Sequence, residues 1–393
     1  MKRVAVLGGG PAGAFAAERL ASAGLDTVVI DEKLAWEKPC GGGITCKAYK
    51  RYPFLLANDL PKRFVTAATL AAPGVGPARL SLSDPLVIYS RLDLNGLLLE
   101  RAGRAGARIE KTRVLEVTPD GEAWHVRTAA GTIDADFCIL ATGARNPLRG
   151  LGTQWTAADT MLALGYYVEA SQDQIDIQFL PHMEGYIWIF PRSGHLSVGI
   201  CGKGVPARAL RARLEAFMRE RSLSWKDARF FAHVLPSLDV SGWRNNRVSG
   251  PGWLAVGDAG GLVDPITGEG LYYAIRSADL ASLVVLDDAH APADKHSAYR
   301  ALLTRDFAAD LAFGAAIARR VFLGRFLFGT VPQRAVQFLH RSPRFYELMQ
   351  DLVAGSQTYL GLKSRLMRNL QGTLLDTFYH FVLGREVAGE NQV

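Results

Sequence analysis

Gly8-Gly9-Gly10-Pro11-Ala12-Gly13, close to the start of the chain, spells G-x-G-x-x-G, a spacing suited to gripping a pyrophosphate. Gly8 makes a tight turn, Gly10 lets backbone approach phosphate oxygens, and Gly13 lets a helix pack closely on a strand, with Ala12 in the same turn. Glu32 follows at the spacing of about 20 residues at which a carboxylate receives ribose hydroxyls. A second cluster, Lys38-Pro39-Cys40-Gly41-Gly42-Gly43, sets a thiol directly before three glycines. Such a run gives up helix and strand alike, but it permits positive φ and close passage of backbone along a flat ligand. Third, Tyr186, Trp188 and Phe190 alternate just before Pro191-Arg192. In a strand these three share one face, as a flat aromatic wall or as ordinary sheet core.

The elements around the first cluster follow the order that a dinucleotide site needs. Val4–Leu7 reads as a buried parallel strand, residues 12–24 as a helix ending at Gly24, and Thr27–Ile30 as a second strand ending at Asp31-Glu32. Residues 134–143 read as a further strand closing in the small-residue turn Ala141-Thr142-Gly143. Leu254–Val256 reads as another, closed by Gly257-Asp258, and Gly268-Glu269-Gly270 opens a helix from Leu271. Residues 60–85 and 155–245 carry strand-like pieces, expected to form one antiparallel sheet with a helix over 207–223 against it. There is no second G-x-G-x-x-G for a firmly held nicotinamide dinucleotide.

Bulk properties bound the rest. The chain has 393 residues, a net charge of +7 and 49% hydrophobic residues, as a folded protein of two or three domains, or of one large composite core, would. No nucleic-acid-binding pattern accompanies the basic balance, which fits anionic substrates or anionic lipid better. Cysteines 40, 46, 138 and 201 show neither C-x-x-C nor metal-ligand spacing, so no metal site is expected and a reducing, cytoplasmic setting is the simpler one. Cys46 has no motif around it and reads as structural. The apolar N-terminal stretch is broken by glycines and a proline, unlike a secretory signal, and no run reaches transmembrane length. Residues 301–393 hold nine of the 18 phenylalanines and 11 Lys/Arg against seven Asp/Glu, with arginines among large apolar residues on expected helices. That pattern serves either a basic surface lying on anionic membrane or a helical cap with arginines at its edge.

The G-D pair at 257–258 with the "DPITGEG" turn resembles FAD-dependent oxidoreductases built on the hydroxybenzoate-hydroxylase plan. The Cys40-Gly-Gly-Gly loop and the Y-x-W-x-F-P-R run at 186–192 narrow the resemblance to the geranylgeranyl reductase family, flavoenzymes that saturate C=C bonds of prenyl chains. The resemblance implies an α/β fold: a discontinuous Rossmann-type FAD-binding domain (1–60, 86–150, 250–290), an antiparallel β-sheet substrate domain (61–85, 151–249) and a C-terminal helical region (291–393). It implies FAD contacts from Gly8, Gly10, Ala12, Gly13, Glu32, Gly41, Gly42, Arg91, Val114, Thr142, Gly143, Asp258, Gly268, Gly270 and Leu271. Val114 would pack on adenine, Asp258 would hold the ribityl chain, and the helix from Leu271 would point its positive end at the flavin ring. Tyr186, Trp188, Phe190 and Arg192 would line the substrate channel. Cys40 would then be a proton donor or a substrate-positioning group, unless it is a small packed hydrophobe. Electrons would come from NAD(P)H visiting transiently or from a ferredoxin-type protein donor. A flavin monooxygenase is the alternative. A halogenase is less well supported, because Tyr186 stands where halogenases carry tryptophan, and a quinone-linked electron-transfer flavoprotein would bring an iron–sulfur cysteine segment. The partners implied are a lipid or other small-molecule substrate and possible contact with anionic membrane, but no nucleic acid.

Overall fold

The structure, a computed structural model, describes residues 3–365 apart from 122, 290, 292–293 and 363. The expected C-terminal helical region beyond 365 lies outside the described residues. The chain divides into two compact units. The first comprises Met1–Lys38, Ser90–Met161 and Val234–Ala315; the second comprises Pro39–Tyr89, Leu162–His233 and Ala316–Val393. Residues 39–60 thus group with the second unit rather than with the first sixty, because the strand Gly43–Ile44 pairs with Val75–Tyr89.

In the first unit a six-stranded sheet runs in the order Ser249–Gly250, Trp253–Ala255, Phe137–Leu140, Arg3–Leu7, Asp26–Ile30, Arg108–Glu110. All neighbours are parallel except the first pair. Val4–Leu7, Val28–Ile30 and Phe137–Leu140 are fully buried, which is why they read as unbroken apolar runs. Leu7 is in register with both Ile30 and Leu140, and Leu140 with Ala255. The turns that follow these strands, at 8, 31, 141 and 256, therefore emerge at one carboxyl edge, where open α/β sheets bind ligands. The helix Pro11–Ser22 packs on Arg91–Arg104 and on Leu271–Leu286. A small antiparallel sheet, Val114–Asp120, Ala123–Thr128 and Gly131–Ala135, adds Val117, Trp124 and Val126 to the core around Leu7 and Leu140. The strand expected within 134–143 is broken at Asp136, whose carboxylate accepts the Arg3 backbone N–H at 2.7 Å.

In the second unit eight strands are ordered Arg229–Pro236, Thr160–Val168, Leu196–Gly202, Tyr186–Pro191, Ile175–Phe179, Lys62–Ala72, Val75–Tyr89, Gly43–Ile44. Ile175–Phe179 departs from the antiparallel expectation and runs parallel to Lys62–Ala72. That seam joins two separate chain segments, so no hairpin sets its direction. The helix Ala207–Glu220 buries Leu210, Leu214, Phe217 and Met218 against Leu164, Val198 and Ile200. Its Glu215 accepts a 2.6 Å hydrogen bond from the Tyr166 hydroxyl. The helices Val331–Arg341 and Pro343–Ala354 pack on Val75–Tyr89, with Val336 and Leu339 in the core beside Leu80 and Ile88. This part of the last quarter is therefore a cap.

The Tyr166 hydroxyl, aided by Arg211, holds the Glu215 carboxyl below its ordinary 4.5. A lowered carboxyl contributes stability that is present above 4.5 and lost as pH falls through the folded value. Glu215→Gln is expected to lower Tm near neutrality, with the difference from wild type shrinking as pH drops below 4.5. Thermal melts across that range check it; a constant difference would remove Glu215 from the acid response.

Candidate active site

The glycine turn of the first unit is shaped by contacts that only glycine permits at two positions. A Cβ on Gly8, at φ +116°, would lie 2.2 Å from the Ala141 carbonyl oxygen, and one on Gly13 would lie 1.9 Å from the Gly8 oxygen. Gly10 differs: nothing lies within 4 Å of where its Cβ would be. It stands at the N-cap of the helix Pro11–Ser22, which no side chain caps, and an uncapped helix N-terminus is where an anion cradle forms. Ala12 is buried in that first turn. Asp31 completes it: one carboxylate oxygen accepts Gly9 N–H at 2.7 Å, and the other accepts Lys33 and Leu34 N–H at 2.7 Å each. Glu32, not Asp31, is the carboxylate that the sequence spacing singles out. Glu32 is exposed and lies 3.8 Å from Arg113, the residue before Val114. Val114 is half-buried at the edge of the Trp124 core.

Beside the neighbouring strand, Gly143 (φ +79°) opens onto space with nothing near its Cβ position. The Thr142 hydroxyl is buried and has no hydrogen-bond partner among the described residues. Arg91 is only 4% exposed; one guanidinium nitrogen reaches Asn95 at 3.3 Å, while its Nε is also without a partner. Glu37 sets Arg91 in place, accepting the Ser90 hydroxyl at 2.6 Å and the Arg91 and Leu92 N–H groups at 3.1 and 3.2 Å. Asp258 makes a 2.9 Å ion pair with Lys38. The expected ribityl partner is thus charge-balanced within its own unit, which sequence reasoning did not foresee. Gly268, at φ +73°, and Gly270 lead into Leu271, the first residue of a helix of 16 residues that no side chain caps. Buried polar groups are ordinarily hydrogen-bonded. The Thr142 hydroxyl, the Arg91 Nε and the open backbone at Gly10 and Gly143 therefore fit a bound dinucleotide such as FAD.

The second unit holds the other two motifs, tied together by Arg192. This side chain is 2% exposed. Its guanidinium donates to the Cys40 carbonyl at 2.6 Å and to the Tyr89 carbonyl. Gly42, at φ +81°, lies so close that a Cβ would sit 2.2 Å from Tyr89 O and 2.9 Å from the Arg192 guanidinium carbon. The Phe190 ring packs on Gly41 and Gly43, with the Cβ positions 3.1 and 3.3 Å from it. The loop is thus a clamped structure, not a floppy one. The Cys40 sulfur is half-buried and accepts the Gly42 N–H at 3.3 Å. Trp188 fills the space left by Gly199, where a Cβ would be 2.2 Å from the indole, and Tyr186 meets it edge-on at 6.3 Å. Ile187 and Ile189 point to the opposite core. The alternation predicted from sequence is there, and it also fills the sheet.

Arg192 was expected to meet substrate, yet its guanidinium is committed to two carbonyls; in this structure it positions the Cys40 loop. Removing it leaves the Tyr89 carbonyl buried without this donor, at roughly 1–3 kcal/mol, and leaves the Cys40 carbonyl with the longer 3.4 Å bond from the Ser197 hydroxyl. Arg192→Leu is expected to lower Tm markedly, and Arg192→Lys to recover only part, because an ammonium lacks the guanidinium fork. Thermal melts of the two variants check this; a wild-type Tm for Arg192→Leu would contradict the clamp.

Residues 2–164 match the family described as pyridine nucleotide-disulphide oxidoreductase. The chain is 28% identical to menaquinone reductase of Mycolicibacterium smegmatis, over 93% of this chain and 91% of that protein. It is also 28% identical to geranylgeranyl diphosphate reductase of Synechocystis sp., over 72% of this chain and 75% of that one. Among solved structures, a geranylgeranyl bacteriochlorophyll reductase-like protein of Thermoplasma acidophilum has a TM-score of 0.76 at 23% identity, covering 94% of this chain and 99% of its own. The halogenase PltM shares the fold at a TM-score of 0.67 and 16% identity, covering 90% and 82%. The protein is an FAD-dependent oxidoreductase. The resemblance read from the motifs holds: geranylgeranyl diphosphate reductases are among its relatives.

Proposed function

We propose that this oxidoreductase saturates C=C bonds of a prenyl lipid, a prenyl diphosphate or a prenylated quinone. The observation that carries the reading is the Cys40 loop, whose Cys40 carbonyl is held by Arg192 and whose thiol accepts the Gly42 N–H, in the same unit as the Tyr186–Trp188–Phe190 stripe. When bound, reduced FAD supplies the hydride for one alkene carbon. The other carbon needs a proton. Cys40 gives it from its thiol, and the thiolate left behind is supported by the Gly42 N–H and regains a proton from solvent. Gly8, Gly10, Ala12 and Gly13 hold the pyrophosphate, with Glu32 and Val114 at the adenosine end. Arg91, Thr142, Gly143, Asp258, Gly268, Gly270 and Leu271 hold the ribityl and flavin portion. Tyr186, Trp188 and Phe190 give the prenyl chain an apolar wall, and Arg192 keeps the loop in shape. NAD(P)H or a ferredoxin-type protein supplies the electrons.

The second reading, a monooxygenase, uses the same scaffold but has no need of a clamped thiol. Mixing chemically reduced protein anaerobically with geranylgeranyl diphosphate separates the two. Prenyl-dependent reoxidation supports the reductase. Reoxidation by oxygen alone, with no response to any prenyl lipid, supports the monooxygenase.

A further inference from the structure

Between the helices Ala309–Leu323 and Val331–Arg341 the chain makes a tight hairpin, Arg325–Phe326 paired with Gly329–Thr330. Its two-residue loop is Leu327-Phe328, at φ +47° and +63°. Positive φ at both loop positions defines a turn that strongly prefers Asn-Gly, and large side chains adopt it reluctantly. Here the strained positions carry two of the largest apolar side chains available, and they face solvent. Phe328 is 98% exposed, and Leu327 and Phe326 are 44% and 40% exposed. Folding gains next to nothing from Phe328, whose side chain is left almost wholly uncovered.

The surroundings point to the occupant. From 311 to 346 the sequence has six arginines and no aspartate or glutamate. Arg319, Arg320 and Arg325, just before the tip, are all exposed. Behind it, Arg334 donates to the carbonyls of Phe326 and Leu327. Loop carbonyls that would otherwise need water are thereby satisfied from within, which lowers the cost of leaving water. Phe326 leans on Phe338 at 6.3 Å, so the spur is braced at its base. Two side chains at a hairpin tip offer far less area than the roughly 1,000 Å² that a stable protein interface needs. A lipid surface asks for no complementary shape, only apolar side chains to insert and cations to meet headgroups.

We propose that the 325–330 hairpin is a membrane anchor, inserting Leu327 and Phe328 into an anionic lipid surface while the flanking arginines bind headgroups. Among the described residues no helix is long and apolar enough to cross a membrane, so attachment at this spur is peripheral. The inference stands on the hairpin alone and does not depend on which substrate is reduced.

The test uses the full chain and vesicles of phosphatidylcholine with or without phosphatidylglycerol. Wild type is expected to co-sediment with the anionic vesicles, less so at high salt. The double variant Leu327→Asn/Phe328→Gly installs the residues the turn prefers, so its Tm is expected to equal or exceed that of wild type. Its apparent affinity for anionic vesicles is expected to fall roughly 10- to 100-fold, the loss of one or two inserted apolar side chains. Failure of wild type to bind anionic vesicles would overturn the proposal, as would equal binding by the variant. Self-association abolished by the variant, without vesicle binding, would assign the tip to a second copy of the chain instead.

Discussion

Cys40→Ala is expected to slow substrate-dependent turnover about 10²- to 10⁴-fold, the usual contribution of a positioned general acid, and to leave FAD content unchanged. Cys40 belongs to the second unit, whereas the glycine turn, Asp31, Arg91 and Thr142 belong to the first. Loss of the sulfur removes the hydrogen bond from Gly42 N–H at 3.3 Å, while the Arg192 and Ser197 contacts go to the Cys40 carbonyl, which alanine keeps. The loop should therefore stay clamped and the fold intact. Cys40→Ser keeps a proton on the side chain but replaces an acidic thiol by a weakly acidic hydroxyl, so it should behave much like the alanine variant. Steady-state rates with flavin content measured on the same preparations decide it. Near-wild-type turnover in either variant would make Cys40 a packing residue.

Gly10→Ala and Gly13→Ala are expected to lose FAD for different reasons, and the pair separates a cofactor contact from a folding contact. Gly10 has φ −69° and ψ −178°, values that alanine adopts readily, and its Cβ would meet no protein atom. The variant's apoprotein should melt like wild-type apoprotein, yet a methyl group would stand where backbone must approach the pyrophosphate. Affinity for FAD is expected to fall at least about tenfold, or 1.4 kcal/mol. In Gly13→Ala the new methyl would collide with the Gly8 carbonyl at 1.9 Å. Relief requires moving a helix whose first seven residues are all buried, so apoprotein Tm should fall together with FAD affinity. Fluorescence titration with FAD and melts of the apoproteins give both quantities. Wild-type FAD affinity in Gly10→Ala would contradict the cradle.

Local order in the sequence made the first unit readable. Val4–Leu7, the glycine turn, a helix and Thr27–Ile30 follow each other without interruption, and buried parallel strands announce themselves as apolar runs. What stayed hidden depends on residues far apart in the chain. Lys38 meets Asp258 across 220 positions, Glu37 reaches Arg91 across 54, and Arg192 reaches Cys40 across 152. No spacing or periodicity encodes such pairs, so Arg192 looked like a substrate anchor. Asp31 was hidden by its neighbour, because two adjacent acids end the strand and only the fold says which one turns inward. The 325–330 hairpin lay within a stretch read as helical, since Leu-Phe carries no turn signal. The aromatic alternation at 186–190 was legible as one face of a strand, and Gly199 shows how Trp188 is accommodated there.

The proposed reaction adds hydrogen across prenyl double bonds. The most direct measurement is the mass of a prenyl lipid recovered after anaerobic incubation with the FAD-loaded protein and a chemical reductant, beside a control lacking protein. Geranylgeranyl diphosphate and a prenylated quinone would both be offered. The expected result is product heavier by two hydrogens, or by multiples of two, formed by wild type and far more slowly by Cys40→Ala. Lipids recovered at unchanged mass, from protein whose FAD is bound and reduced, would contradict it.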